Sequence, residues 1–470
     1  MLKSTAIYVA ALLLQTSSGA AQEVPITMPE QSLAARLDAT ISVNYKATEP
    51  GITILVARDG KLLLRKGYGM ANLETKQAMT PDMSLRLASI TKQFTAVAIL
   101  MLADEGKLSI QDDITKYLPD YPTKGKKITI EHLLTHTSGI ISFTSKPDSD
   151  AMGKTDRTVA EVIDYFKNDP LLFEPGTGYA YSNSGYFLLG AIIEKLSGLS
   201  YAKFVEQRIF IPLGMAQTAY EGYERTPPLR AVGYTKENGT FVPDTPISMT
   251  VPYAAGALVS TVDDLNRWEQ AIANGKLLKP GSWKSAFTSY KLANGQSINY
   301  GYGWGVGNLK GSPMFSHDGG IPGFQTYVLR LPQEKVFVAV LGNSDSGNDP
   351  EIVAIKAAAL AIGKPYADKE IILNAEALEA FVGVYGGPGL ETRTVRVANG
   401  HLVMSRSNGN LTLRPHSANG FFVAKSLITV DFGLDTSGVV TEMIVERVGN
   451  AAVYRRIGNA SQLTRVEAKD

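Results

Sequence analysis

Ser89 and Lys92 are the first residues along this chain whose types and spacing could make and break a covalent bond. A hydroxyl becomes a nucleophile only when a base takes its proton, and this spacing on a helix brings the Lys92 ammonium to the Ser89 hydroxyl, the layout of an acylating serine with a lysine neighbour. The pair opens a run ending at Gly106 that is apolar on most faces, so a buried helix is expected, with Gly106 supplying its left-handed end. Ser89 then lies in the first turn, where backbone N–H groups and the helix dipole favour an oxyanion. A lysine at the mouth of an all-apolar helix is partly buried, and burying an ammonium needs a compensating reason. Spacing alone decides nothing, because Ser200 and Lys203 repeat it. That second pair opens an amphipathic segment, Tyr201 to Phe210, whose polar face would leave Lys203 in water.

Two further stretches carry groups that could serve such a nucleophile. The loop Glu174 to Gly178 leads through Tyr181-Ser182-Asn183 into a helix expected from Tyr186 to Leu196 and stopped by Gly198. A Tyr hydroxyl and an Asn amide two residues apart on such a loop can both point into a cleft. Ser182 and Asn183 are equally good helix N-caps. The third stretch is Ser316-His317-Asp318-Gly319-Gly320, just ahead of alternating runs at 325–331 and 335–341. Successive glycines on a strand edge let a ligand approach the backbone, and His317 would project from that edge. His132 and His136 have the spacing of a helical zinc pair but no Glu between them, so closing a helix before Ser138-Gly139 is the preferred reading. Asp263 and Asp264 suggest a general base, but Thr261 with Asp264 makes a helix cap.

The elements that must position these groups follow from periodicity. Residues 31–45 have helical spacing, and runs at 52–57 and 61–68 flank Arg58-Asp59-Gly60, a hairpin with a primed turn. A helix from Glu351 to Ile362 ends at Gly363-Lys364-Pro365, a plausible domain boundary. From Phe381 onward, short alternating strands punctuated by Asn-Gly read as a small antiparallel barrel. Residues 1–21 read as a secretory signal, with Lys3, an apolar stretch from Ala6 to Leu14, and small residues at Gly19-Ala20-Ala21. Removing it leaves a formally neutral chain, which argues against nucleic acid or an anionic membrane as partner. No stretch reaches transmembrane length. With no cysteine there is neither disulfide nor thiol nucleophile, and a bacterial periplasm or extracellular medium is the expected address.

Taken in order, Ser89-x-x-Lys92, Tyr181-x-Asn183 and His317-x-Gly319 resemble the three motifs of the serine β-lactamase and penicillin-binding-protein superfamily. The likeness is to its class C-like branch, with D-alanyl-D-alanine carboxypeptidases, D-aminopeptidases and esterases, and covers roughly residues 30–362. Leu133 to Gly139 and Gly320-Ile321-Pro322-Gly323 belong to it. The chain departs from the pattern in having His317 where β-lactamases usually have lysine, and Tyr-Ser-Asn rather than Ser-Asp-Asn. The resemblance implies an α+β fold: an antiparallel sheet flanked by helices, an inserted helical lobe, and the C-terminal antiparallel barrel. It divides the chain into signal peptide 1–21, hydrolase domain 22–365, and linker with lipocalin-like barrel 366–470.

It further implies an acyl-enzyme on Ser89, proton relay by Lys92 and Tyr181, and substrate binding by Asn183, His317, Gly319 and Gly320. Ser89 and Gly320 would give the oxyanion hole, with no cofactor and no metal. Either Lys92 or Tyr181 can be the base on this pattern, and for Lys92 to be neutral near pH 7 its pKa must fall by about three pH units, about 4 kcal/mol. The expected activity is hydrolysis of peptide amides, with D-residues, or small esters, on substrates that could derive from the cell wall. A β-lactamase and a non-catalytic receptor for wall fragments are the alternatives.

Overall fold

The computed structural model describes residues 32–222, 227–347 and 349–459; the signal segment expected at 1–21 lies outside them. The hairpin forms as expected, with strands β1 (Ile52–Arg58) and β2 (Lys61–Tyr68). Asp59 and Gly60 both take positive φ, 51° and 74°, the requirement of a type I′ turn. Four later strands complete an antiparallel sheet: β3 (Gly305–Leu309), β4 (Ser312–Ile321), β5 (Phe324–Leu331) and β6 (Val336–Gly342). The order is β3-β4-β5-β6-β1-β2, so the first and last parts of the hydrolase region meet where β1 pairs with β6, Ile54 opposite Val340.

Both faces of the sheet are covered, which explains why β1 from Ile52 to Ala57 and all of β6 are buried rather than alternating. On the outer face, α1 (Leu33–Ser42) and the helix Pro350–Ala361 pack on Ile54, Val56, Leu329, Val338 and Val340. On the inner face lie α2 (Thr91–Asp104) and the helix Val262–Ala273, against Leu55, Val328, Ala339 and Leu341. Every residue of α2 from Thr91 to Leu102 is buried, so it is the central rod of the molecule. Phe94 stacks on Trp268 at 4.4 Å, and the Trp268 indole N–H donates to Gln93 Oε1 at 3.1 Å. The segment inserted between β2 and β3 is mostly helical, and its longest helix, Asn183–Ser197, crosses α2.

The C-terminal strands close into an eight-stranded antiparallel barrel from Gly383 to Gly458. Its interior is filled by Phe381, Tyr385, Met404, Phe421, Phe432 and Met443, with Phe381 4.7 Å from Phe432. The barrel leans on the outer face of the sheet. Leu427 and Val448 join the core beneath the helix Pro350–Ala361, and Arg447 pairs with Glu351 at 2.5 Å. Gly449 abuts β3 so closely that a Cβ there would lie 2.4 Å from the Asn308 carbonyl oxygen. Among the described residues, no helix is long and apolar enough to cross a membrane.

Candidate active site

The chain reaches Ser89 along a short strand, Leu85–Arg86, paired with Leu258–Ser260. Ala88 then takes a left-handed conformation, φ 48°, at a cost of about 1 kcal/mol for a residue with a Cβ. That turn leaves Ser89 in a single 3-10 turn, Ala88–Ile90, directly ahead of α2. The sheet holds it from one side, where the Thr326 hydroxyl on β5 donates to the Leu87 carbonyl at 3.0 Å. A Cβ on Gly319 would lie 2.3 Å from that same carbonyl and 2.2 Å from Thr326 Oγ1. Glycine is what allows β4 to approach the serine turn this closely.

Lys92 is fully buried, and its Nζ has three neighbours: Ser89 Oγ at 3.0 Å, Asn183 Oδ1 at 2.8 Å and the Ala255 carbonyl at 2.9 Å. Two threonines of α2 pin the segment carrying that carbonyl. Thr95 donates to the Ala254 carbonyl at 2.6 Å, and Thr91 Oγ1 accepts from the Leu258 N–H at 3.2 Å. Burial pushes the Lys92 amine down to about 7, against a weaker upward pull from Asp318. A neutral amine has two N–H bonds and one lone pair. Asn183 Oδ1 and the Ala255 carbonyl can only accept, so they take both N–H bonds. The lone pair is left facing Ser89 Oγ, the one neighbour with a proton to give.

Tyr181 and Asn183 reach this lysine because the helix begins at Asn183 itself, three residues earlier than its apolar spacing suggests. Ser182 is the N-cap, accepting from the Gly185 N–H. Asn183 is oriented by its amide nitrogen, which donates to Thr144 Oγ1 at 3.0 Å, and by its backbone N–H, which donates to Ser142 Oγ at 3.1 Å. The Tyr181 hydroxyl hydrogen-bonds Ser89, and its ring lies 4.8 Å from Lys92 Nζ. Although the residue is 37 % exposed along the cleft, the protein around its hydroxyl pushes the phenol well above its usual range. Tyr181 therefore keeps its proton at any ordinary pH.

His317 comes to the same place but does not project into the cleft. Alternation along β4 turns residues 317 and 319 inward together, and the imidazole is 4 % exposed. Its Nδ1–H donates to the Asp318 carbonyl at 2.6 Å, and its Nε2 accepts from the Tyr300 hydroxyl at 2.8 Å. Both nitrogens are occupied, and burial, against the upward pull of Asp318, holds the ring below its usual pKa. Ser200 is far from this cluster in role: it caps its own helix, accepting from the Lys203 N–H at 3.3 Å. His132 closes a capping box with Thr129, and Thr261 caps the helix at Asp264.

Ser89 opens onto a cavity of about 600 Å³ that Phe143, Thr144, Asn183, Val251 and Gly320 help to line. A second, of about 450 Å³, lies past Tyr181 against His317, Asp318, Gln325 and Glu351, with no lysine or arginine among the described residues of its wall. Gly320 borders both. Strand β3 pairs with β4 only as far as Ser316, so His317–Ile321 is bonded to β5 alone and offers a bare edge to the cleft. Sequence reasoning missed the Ala255 carbonyl, Thr144 and Tyr300. None has a local signature, since distant parts of the chain bring each one in.

A family model described as beta-lactamase matches residues 34–362. Penicillin-binding protein 4* of Bacillus subtilis (strain 168) is 32 % identical over 424 residues, 84 % of this chain and 92 % of that protein. Among solved structures, the octameric penicillin-binding protein homologue from Pyrococcus abyssi superposes with a TM-score of 0.61 at 27 % identity, covering 90 % of this chain and 98 % of the other. A D-stereospecific amidohydrolase from Streptomyces sp. gives 0.58 at 26 % identity over 70 % of this chain and 98 % of its own. The chain thus belongs to the beta-lactamase family and is a hydrolase of that fold, related to penicillin-binding proteins and D-stereospecific amidohydrolases.

Proposed function

We propose that this protein is an exported serine hydrolase that forms an acyl-enzyme on Ser89 and acts on amides, D-amino acid amides and D-peptides above all, and on small esters. The observation that carries the reading is the buried Lys92 amine 3.0 Å from Ser89 Oγ, with Asn183 Oδ1 and the Ala255 carbonyl as its other two neighbours. Lys92 takes the serine proton as Oγ attacks the carbonyl carbon. The oxyanion is held by the backbone N–H groups of Ser89 and Gly320. Tyr181, which keeps its proton, passes one to the departing nitrogen and is reprotonated from Lys92 as the C–N bond breaks. Water then cleaves the ester by the same route in reverse. Asn183 and the bare edge at Gly319-Gly320 hold the substrate backbone as an added strand would. His317 closes the wall beside Tyr181. Export rests on the 1–21 segment, and residues 22–365 and 366–470 are proposed as hydrolase domain and as linker with barrel.

The charge of the second cavity favours an amidase or esterase over a β-lactamase. Asp318 borders it, Glu351 is paired with Arg447, and both nitrogens of His317 are engaged, so no cation among the described wall residues is free to pair with a substrate carboxylate. The relation to a D-stereospecific amidohydrolase points the same way. The test compares kcat/KM for D-phenylalanine amide, p-nitrophenyl acetate and benzylpenicillin at pH 8. The amide and the ester are expected to turn over at least tenfold better than the penicillin. A penicillin hydrolysed best of the three would make the protein a β-lactamase.

The acylation rate should carry the signature of Lys92. Its pKa lies near 7, below the ordinary 10.5, so the active neutral form dominates above pH 7. Acylation is expected to fall about tenfold per pH unit below 7 and to stay level from 8 to 9.5. The same depression means that the fold gains stability as pH rises from 7 towards 10.5, where the unfolded chain still binds the proton that the folded chain has released. An acid limb centred below pH 5 would remove Lys92 as the base.

A further inference from the structure

His136 is a buried titratable residue that the proposed reaction leaves without a task. It is 1 % exposed and holds a left-handed backbone, φ 60°, which few residues with a Cβ adopt. Such a conformation persists only where its surroundings over-determine it. Three contacts do so, and all fall on the segment that carries Tyr181. The His136 carbonyl accepts from the Ala180 N–H at 3.0 Å, its Nδ1 accepts from the Ser182 N–H at 3.0 Å, and its ring lies 4.2 Å from the Tyr181 ring at a tilt of 33°. The backbone N–H groups of the residues before and after Tyr181, and its ring, are thus held by one residue.

An amide N–H can only donate, so Nδ1 carries no proton and the hydrogen sits on Nε2. That Nε2 is buried and has no hydrogen-bonding partner among the described residues, and the imidazole centroid lies 5.1 and 4.9 Å from the ring centroids of Tyr186 and Tyr300. Leaving such a donor unmatched costs stability, on the order of a buried hydrogen bond. Helix closure alone would not need it, since the helix before it ends at Leu134. Neither Ser89 nor Lys92 touches the imidazole nitrogens by hydrogen bond.

We infer that His136 is a positioning residue for proton delivery: through the Ser182 N–H and the stacked ring it holds the Tyr181 hydroxyl where it can reach the leaving group. The inference rests on the proposed role of Tyr181 and adds a residue to it. It makes a distinction that a purely structural role would not. An amide nitrogen must be protonated to leave, whereas p-nitrophenolate leaves without a proton. Loss of placement therefore harms amide hydrolysis selectively.

The experiment measures kcat for D-phenylalanine amide and the acylation rate with p-nitrophenyl acetate, read as the burst of p-nitrophenolate, in the full-length protein and in His136→Phe, His136→Asn and Tyr181→Phe, with melting temperatures alongside. Phenylalanine keeps a ring but has no acceptor. Asparagine places Oδ1 where Nδ1 was and tolerates positive φ. His136→Phe is expected to lose about 10²-fold on the amide and under tenfold on the ester, as does Tyr181→Phe, while His136→Asn keeps the amide-to-ester ratio within about threefold. Parallel loss on both substrates in His136→Phe, or a ratio in His136→Asn as poor as in the phenylalanine variant, overturns the inference. If His136→Phe does not fold, the ratio in His136→Asn decides alone. If Tyr181→Phe loses both substrates equally while Ser89 is still acylated, the fault lies in the role of Tyr181, and the inference falls with it.

Discussion

Lys92→Met is expected to lower the acylation rate about 10⁴-fold while the protein stays folded. The methionine fills nearly the same volume without a buried amine, so packing around α2 survives. What is lost is the amine facing Ser89 Oγ. Asn183 Oδ1 and the Ala255 carbonyl are left without their donor, which costs some of the stability gained by removing the amine. Tyr181→Phe alone should cost less on an activated ester and about 10²-fold on an amide. Because the two groups pass one proton between them, the double variant is expected to be little worse than Lys92→Met. Rates measured by stopped-flow with p-nitrophenyl acetate and by product release from the amide settle it. If the two losses multiply, the groups act independently and the relay is wrong.

Gly319→Ala is expected to be nearly as damaging from a position that offers the substrate no side chain. The new Cβ would sit 2.3 Å from the Leu87 carbonyl, which is backbone and cannot rotate away. Relief requires β4 to move off the serine turn, widening the space between Ser89 and Gly320. A displacement near 1 Å costs about 10²-fold in an aligned reaction. Overpacking of this kind also costs about 1–3 kcal/mol of stability. Trimming Thr326 to alanine in the same chain removes the 2.2 Å clash but not the one with Leu87, so little activity should return. A Gly319→Ala protein within threefold of wild type would show that the sheet edge is not held where the structure puts it.

Much of this was legible in the sequence for stated reasons. The burial of α2 followed from its uninterrupted apolar run, and the Asp59-Gly60 turn from its residue types. The same holds for the three motifs, whose members Ser89, Lys92, Tyr181, Asn183 and Gly319 share one cleft wall or neighbour it. What could not be read is what tertiary packing alone supplies. Ala255 contributes a carbonyl, and no side chain marks it. His136 looked like a helix end because its conformation, not its type, reveals the grip on residues 180–182. His317 was expected to project from a strand edge. The two glycines after it hide the alternation that turns its ring inward to Tyr300. Closure of the barrel depends on the first strand, Gly383–Gly386, meeting the last, Asn450–Gly458, a pairing that no local pattern announces.

The most direct test of the account is to locate the acyl group. The full-length protein would be incubated with a fluorescent acylating ester, quenched in acid and digested, and the labelled peptide sequenced by mass spectrometry. A single adduct on Ser89 is expected, forming faster at pH 8 than at pH 6 by about tenfold and absent in Ser89→Ala. Label on another residue, Ser200 included, or an undiminished adduct in Ser89→Ala, would contradict it.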